Sequence, residues 1–274
     1  MAFIDEQLLI FKNKIENAIV TAGASGKESI IRSSDLINLI HDAVKHEFIS
    51  LGVNPNNIYP PFLASKPEIK MAGLLKQKDQ DICVVPSGIH KNPINIDWGP
   101  LAFQNKNDPY GYNYSTNTLV VNVRSQMSSL AKNADTLFER TFAEALNLHM
   151  RYPKIVLGEV YLIPIHEYDD ELVKSHRVGF KQRQTDVERY ISFFNSINNR
   201  ELGGANYEYE RCTLLIVDFN QAQPRLFNNS AELKAAGYIS KDFEIEYATL
   251  GFRTFAKDIL EIYKSRYDIS NLMK

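Results

Sequence analysis

Two stretches of this chain gather side chains able to do chemistry. In KPEIKMAGLLKQKDQDICVVP, Lys66, Lys70, Lys76 and Lys78 precede Asp79 and Asp81, and Asp81 stands at the mouth of the apolar run Ile82-Cys83-Val84-Val85. A carboxylate at a strand end beside lysines suits a divalent cation that faces a phosphate. The same residues also fit an exposed lysine-rich loop with Asp81 in a turn. In TLVVNVRSQMSSLAKNADTLFERTFAEALNLH, a strand delivers Asn122 and Arg124. A polar loop follows with Ser125, Gln126, Ser128, Ser129, Lys132 and Asn133, and a helix then carries Glu139 and Glu144. Arginine, glutamine and asparagine reach base edges in bidentate fashion, and serine reaches phosphates. Helix capping and turn formation use only one or two such residues, so the density points to a binding loop.

A third stretch, Lys174 to Arg189, holds Lys174, Arg177, Lys181, Arg183 and Arg189 against Asp186 and Glu188. A phosphate-tracking surface and a solvated helix start both fit it. Glu159 interrupts the apolar run IVLGEVYLIP and reads as a solvent-facing position on a half-buried strand. Asp218, at the end of TLLIVDF, carries the same ambiguity. Other chemistries lack their residues. GASGKES misses the phosphate-loop spacing and no GxGxxG occurs, so no nucleotide cofactor is expected. There is no GxSxG, and the six histidines and two cysteines show no zinc-ligand spacing.

These candidates need elements to hold them. Ile4, Leu8, Phe11, Ile15 and Ile19 recur at helical spacing, and TAGASGKES (21–29) reads as the loop that ends that helix. A second helix follows from Ser34, with Leu36, Ile40, Val44 and Phe48 on its apolar face. Strands are expected at 82–85, 119–124, 155–164 and 213–217, and helices at 135–149, 185–197 and from Phe252 to Tyr263. Residues 86–117 form a long loop that either hides a strand or does work. Alternating strands and helices predict an α/β fold, a mixed central sheet flanked by helices with extra helices at both ends. No linker divides the chain, so 1–274 reads as one domain. It has a helical N-terminal part (about 1–60), a core (about 66–220) and a C-terminal helical part (about 230–274).

Composition narrows the class. The 274 residues include 31 basic and 33 acidic side chains, a formal charge of −2, which rules out indiscriminate electrostatic coating of nucleic acid but allows a local basic cleft. No apolar run nears the roughly 18 to 20 residues of a membrane span. The start has no signal-peptide layout, so the cytoplasm is expected and no membrane partner. Cys83 and Cys212 lie in apolar runs and read as buried free thiols.

The run NVRSQMSSLAKN…ERTFAEALNLH resembles the strand-loop-helix of type II restriction endonucleases in the PD-(D/E)XK superfamily. Arg140, Glu144, Ala145, Leu146, Asn147 and Leu148 match the RTEALNL form of its helix, in which the glutamate replaces the usual strand carboxylate. KDQDICVVP is similar to the strand bearing the family's first metal-binding aspartate, here Asp81. The resemblance covers about residues 66–165 and implies a restriction-endonuclease-like αβββαβ core. It also implies Mg²⁺ held by Asp81 and Glu144, and hydrolysis of phosphodiester bonds in double-stranded DNA. Catalytic roles would fall on Asp81, Asn122, Arg124, Lys132 and Glu144. DNA contacts would fall on Arg124, Ser125, Gln126, Ser128, Ser129, Asn133, Lys181 and Arg183, and palindromic sites make a homodimer natural. The family's acid-x-lysine is Asn122-Val123-Arg124 here. Arginine cannot deprotonate to act as a base, which leaves Lys132 or a lysine of 66–78 for that place. Two other readings remain: a non-catalytic DNA-binding protein on the same fold, and an unrelated α/β enzyme acting on a small molecule.

Overall fold

The computed structural model describes residues 2–274. Helices α1 (Phe3–Arg32) and α2 (Ser34–Ser50) open the chain. The TAGASGKES segment is not a loop: helical geometry resumes after a single break at Gly23 (φ 58°, ψ −134°), where a Cβ would stand 3.0 Å from the His176 ring. Ser33 caps α2 by accepting from the Asp35 N–H.

Besides a two-residue strand pair within 86–117, the strands that follow are β1 (Ile58–Tyr59), β2 (Ile69–Ala72), β3 (Gln77–Gln80), β4 (Ile82–Val84), β5 (Leu119–Ser125), β6 (Val156–Pro164), β7 (His166–Tyr168), β8 (Phe180–Gln184), β9 (Arg211–Asp218) and β10 (Arg225–Leu226). Between them lie helices α3 (Leu130–His149) and α4 (Val187–Ser196), and α5 (Phe252–Arg266) comes near the end. The central sheet is mixed and has six strands in the order β1-β4-β5-β6-β9-β10. The first three pair antiparallel, β5-β6-β9 run parallel, and β10 returns antiparallel. The parallel pairs require crossovers, and α3 and α4 lie within those two connections.

Side-chain alternation divides the core. Val121, Val123, Val160, Leu215 and Val217 face α1, α2 and α5, so both chain ends cover one face of the sheet. Val120, Leu157, Tyr161, Leu214 and Ile216 face α3 and α4. Gly158 sits where α5 comes closest, since a Cβ there would stand 2.7 Å from Ile259 and 2.8 Å from Phe255. No helix among the described residues is long and apolar enough to cross a membrane.

Two expectations change and one is met. The lysine-rich stretch is a β2–β3 hairpin, not a loop. The 86–117 segment does hide strands, the pair Ile94–Asn95 and Asn107–Asp108, with helical turns at Pro100–Phe103 and Tyr112–Asn117. Helix α3 starts at Leu130, five residues before the expected Asp135, because Glu167 from a distant strand accepts from the N–H groups of Ser129 and Leu130, both at 3.0 Å. That carboxylate caps the helix in place of any local residue.

The buried His41 on α2 carries a pH dependence. Burial, then the charge of Lys45, lowers its pKa to about 4 against the opposing pull of Asp42 and Glu68, and its Nε2 has no partner. The folded state thus favours neutral imidazole. Its contribution is complete above pH 6.5 and is lost as pH falls through about 4, reaching about 3 kcal/mol at 1.36 kcal/mol per unit. His41→Leu is expected to remove that part of the slope in denaturant melts between pH 7 and 4. An unchanged slope would refute this origin.

Candidate active site

The register of three adjacent strands assembles the site. Ile82 pairs with Val121 in an antiparallel ladder, which places Asp81 opposite Asn122. Asn122 in turn pairs with Glu159 across the parallel β5–β6 ladder. Residues directly opposite share a face, so Asn122 and Glu159 both lie under α3. Asp81 precedes β4, and its Oδ2 accepts from the Val123 N–H at 2.9 Å, extending the ladder through a side chain.

Arg124, two residues beyond Asn122 and so on the same face, reaches between two carboxylates. Its Nη2 donates to Glu144, and its Nε stands 3.1 Å from Glu159 Oε1. Lys78 on β3 donates to Glu144 Oε2 at 2.6 Å, and Arg140 and Lys76 stand 3.8 and 4.0 Å from Oε1. Glu144 therefore meets four cations. Glu159 is different: it is 0% exposed, and neither carboxylate oxygen receives a hydrogen bond, because the Arg124 Nε–H is not aimed at it. Two carboxamide oxygens nearby, Asn122 Oδ1 and Gln80 Oε1, are likewise buried and unpartnered.

The electrostatics follow from this layout. Burial pushes Glu159 up to about 7, with Arg124 opposing and Glu144 reinforcing. Burial also raises Asp81, against Lys78, the Val123 N–H and Arg124. At Glu144 the same burial penalty is outweighed by Arg124 and Lys78, and the carboxyl falls below its ordinary range. An unpartnered buried oxygen is costly. Four oxygens of this kind beside Asp81 suit a ligand that supplies positive charge or donors.

Mg²⁺ meets that description. It takes hard oxygen donors, commonly one or two carboxylates completed by water and substrate phosphate. Asp81 and Glu159, with the Asn122 and Gln80 carboxamides, offer such a set. Among the described residues no three acidic, histidine or cysteine side chains form a cage, so phosphate and water oxygens would have to complete the shell. Glu144, the metal ligand implied by its motif, here holds Lys78 and Arg124 together.

Lys132 does not join this cluster. It lies twelve residues before Glu144 on α3, about 18 Å along the axis at 1.5 Å per residue, and Lys78 takes the place expected of it. Gln126 is also not free to read bases. It is buried, accepts from the hydroxyls of Tyr161 (3.0 Å) and Tyr190 (2.8 Å), and locks the turn before α3. Arg124 is occupied by Glu144 and Glu159. Ser125 and Ser128 are half-buried, and Asn133 is exposed on the first turn of α3.

Ser129, Lys132, Lys181 and Arg183 meet elsewhere, with Arg189 and Tyr190, around a cavity of about 300 Å³ at the start of α3. There Lys181 pairs with Glu167 (3.2 Å) and Asp170 (2.8 Å). Asp218 is structural: it accepts from the Asn220 N–H, Gln221 and Tyr238.

Sequence reading missed Glu159, and a signal for it existed. All nine residues of β6 are buried. A near-continuous apolar run marks a central strand covered on both faces, so a charge inside it could not face solvent. Comparison of the chain with protein-family models, curated proteins and solved structures finds no match in any of the three.

Proposed function

We propose that the chain is a Mg²⁺-dependent nuclease that cuts double-stranded DNA at specific sequences, as in a restriction system, and works as a homodimer. The observation that carries this reading is the group of buried, unpartnered oxygens of Glu159, Asn122 and Gln80 beside Asp81, with Lys78 and Arg124 at its edge. The element order adds support. With the β2–β3 hairpin and the 86–117 lobe as insertions, helix α2, the antiparallel strands β1, β4 and β5, helix α3 and the parallel strand β6 come in the order of an αβββαβ core.

Bound Mg²⁺ would supply Lewis-acid activation of water and of the leaving oxygen. The chain's own residues do the rest. The Val123 N–H fixes the Asp81 carboxylate. Glu144 holds Lys78 and Arg124 together, so that two cations stand ready where charge builds on the phosphate. Lys78, unlike Arg124, is able to release a proton, which gives it the role of the family's lysine.

A second reading has one observation in its favour. Arg124 spans Glu144 and Glu159 and partly neutralises the site from within, as a DNA-binding protein that had lost cleavage would allow. Incubation of the pure protein with phage DNA in Mg²⁺, and again in EDTA, separates the two. Discrete fragments that vanish with EDTA are expected, and absence of cutting in both Mg²⁺ and Mn²⁺ would overturn the nuclease.

A further inference from the structure

Phe103 is 91% exposed, more than any other large apolar side chain among the described residues. It does not sit on a loose loop. It ends the helical turn Pro100–Phe103, and the chain closes behind it with Asn105 N–H to Ala102 O (3.0 Å) and Lys106 N–H to Leu101 O (3.2 Å). Asn105 takes a left-handed conformation, φ 52°, to make that closure. Beneath the turn, Leu101 and Ile96 pack on Ala72 of β2 as a small separate core. The turn thus buries its own apolar residues and still presents Phe103 outward.

The lobe is fixed beside the candidate site. Gln77 Nε2 donates to Asn107 O at 2.6 Å, one residue along β3 from the Lys78 that reaches Glu144. Tyr152 donates to Asp108 at 2.8 Å, and the Arg151 guanidinium lies 4.6 Å from the Trp98 ring centre. Phe103 is followed by Gln104, Asn105, Lys106 and Asn107, all exposed. Carboxamides read base edges, a lysine meets phosphate, and an outward aromatic ring offers a stacking surface.

We infer that this lobe is a DNA-deforming reading element, with Phe103 as a wedge that enters a base step of the duplex and Gln104, Asn105 and Asn107 facing the opened edges. The inference rests on the nuclease reading and adds to it the residues that set sequence preference. Apolar wedges unstack and unwind the step they enter, and this gives a readout independent of cleavage.

The test uses a closed circular plasmid relaxed by a topoisomerase in EDTA with the full chain bound. The parent chain is expected to leave the plasmid negatively supercoiled after its removal. Phe103→Ala should lose most of that unwinding and bind duplex DNA about tenfold more weakly, with its melting temperature unchanged. Phe103→Trp should keep both properties. If the parent chain does not bind duplex DNA, the nuclease reading falls and the wedge with it. If Phe103→Ala binds and unwinds as the parent does, the wedge alone falls. The wedge is likewise overturned if Phe103→Ala unwinds normally but sediments at half the parent mass, since that would make this face a contact between copies of the chain.

Discussion

If the chain is the proposed nuclease, Asp81→Asn and Glu159→Gln are each expected to slow DNA cleavage by about a thousandfold or more, with duplex binding in Ca²⁺ largely retained. Asp81 contributes the carboxylate that the Val123 N–H holds in place, and Glu159 a buried carboxylate that receives no hydrogen bond and faces only the Arg124 charge. Each substitution keeps shape and removes charge, so a loss of cutting reports on the metal and not on packing. Glu159→Gln should also leave thermal stability near or above the parent value, because its charge is buried against the cost of desolvation. Glu144→Gln should behave differently. It frees Lys78 and Arg124 from their common anchor, so it should weaken both DNA binding and cleavage. The measurements are single-turnover cleavage, anisotropy with labelled duplex in Ca²⁺, and Mn²⁺ binding by titration calorimetry. Parent-level Mn²⁺ binding in both Asp81→Asn and Glu159→Gln would refute the assignment of the metal, even with cleavage lost.

Glu210→Ala is expected to cost roughly 3 to 5 kcal/mol of stability, a fall in Tm on the order of 10 °C for a chain of this size, without direct effect on the site. Glu210 is 0% exposed. Its Oε1 accepts from Arg200 (2.9 Å) and Arg266 (2.8 Å), and its Oε2 from His149 (3.1 Å) and the Leu157 N–H (2.9 Å). The burial penalty on this carboxyl is outweighed by His149 and Arg266, which hold it below its ordinary range. One side chain therefore ties the end of α3, the start of β6, the chain at Arg200 and the end of α5. Removal would strand two buried guanidinium groups, and a stranded charge costs more than a lost contact. A thermal melt and a urea titration of the variant measure this, and a loss below about 1 kcal/mol would show that the network is dispensable. Cleavage measured well below the lowered Tm should be close to the parent rate.

The local elements are legible in the spacing of the chain. The apolar spacing of Ile4 to Ile19 and Leu36 to Phe48 gave helices, and the β-branched runs at 82–84, 119–125, 156–164 and 211–218 gave strands, because those periodicities are imposed by backbone geometry. The sequence also placed Asp81, Asn122, Arg124 and Glu144 among the candidates, since acid and base chemistry is carried by residue type. Which of them meet depends on how distant segments pair. Strand register put Glu159 beside Asn122, and the hairpin turned Lys78, not Lys132, toward Glu144. Gln126 went to the core with two tyrosine hydroxyls. The start of α3 was set by Glu167, a residue 37 positions away from Leu130. Register, crossover and distant capping are relations between segments far apart in the chain. Local spacing carries no term for them, so a glutamate read as facing water is instead a buried carboxylate that receives no hydrogen bond.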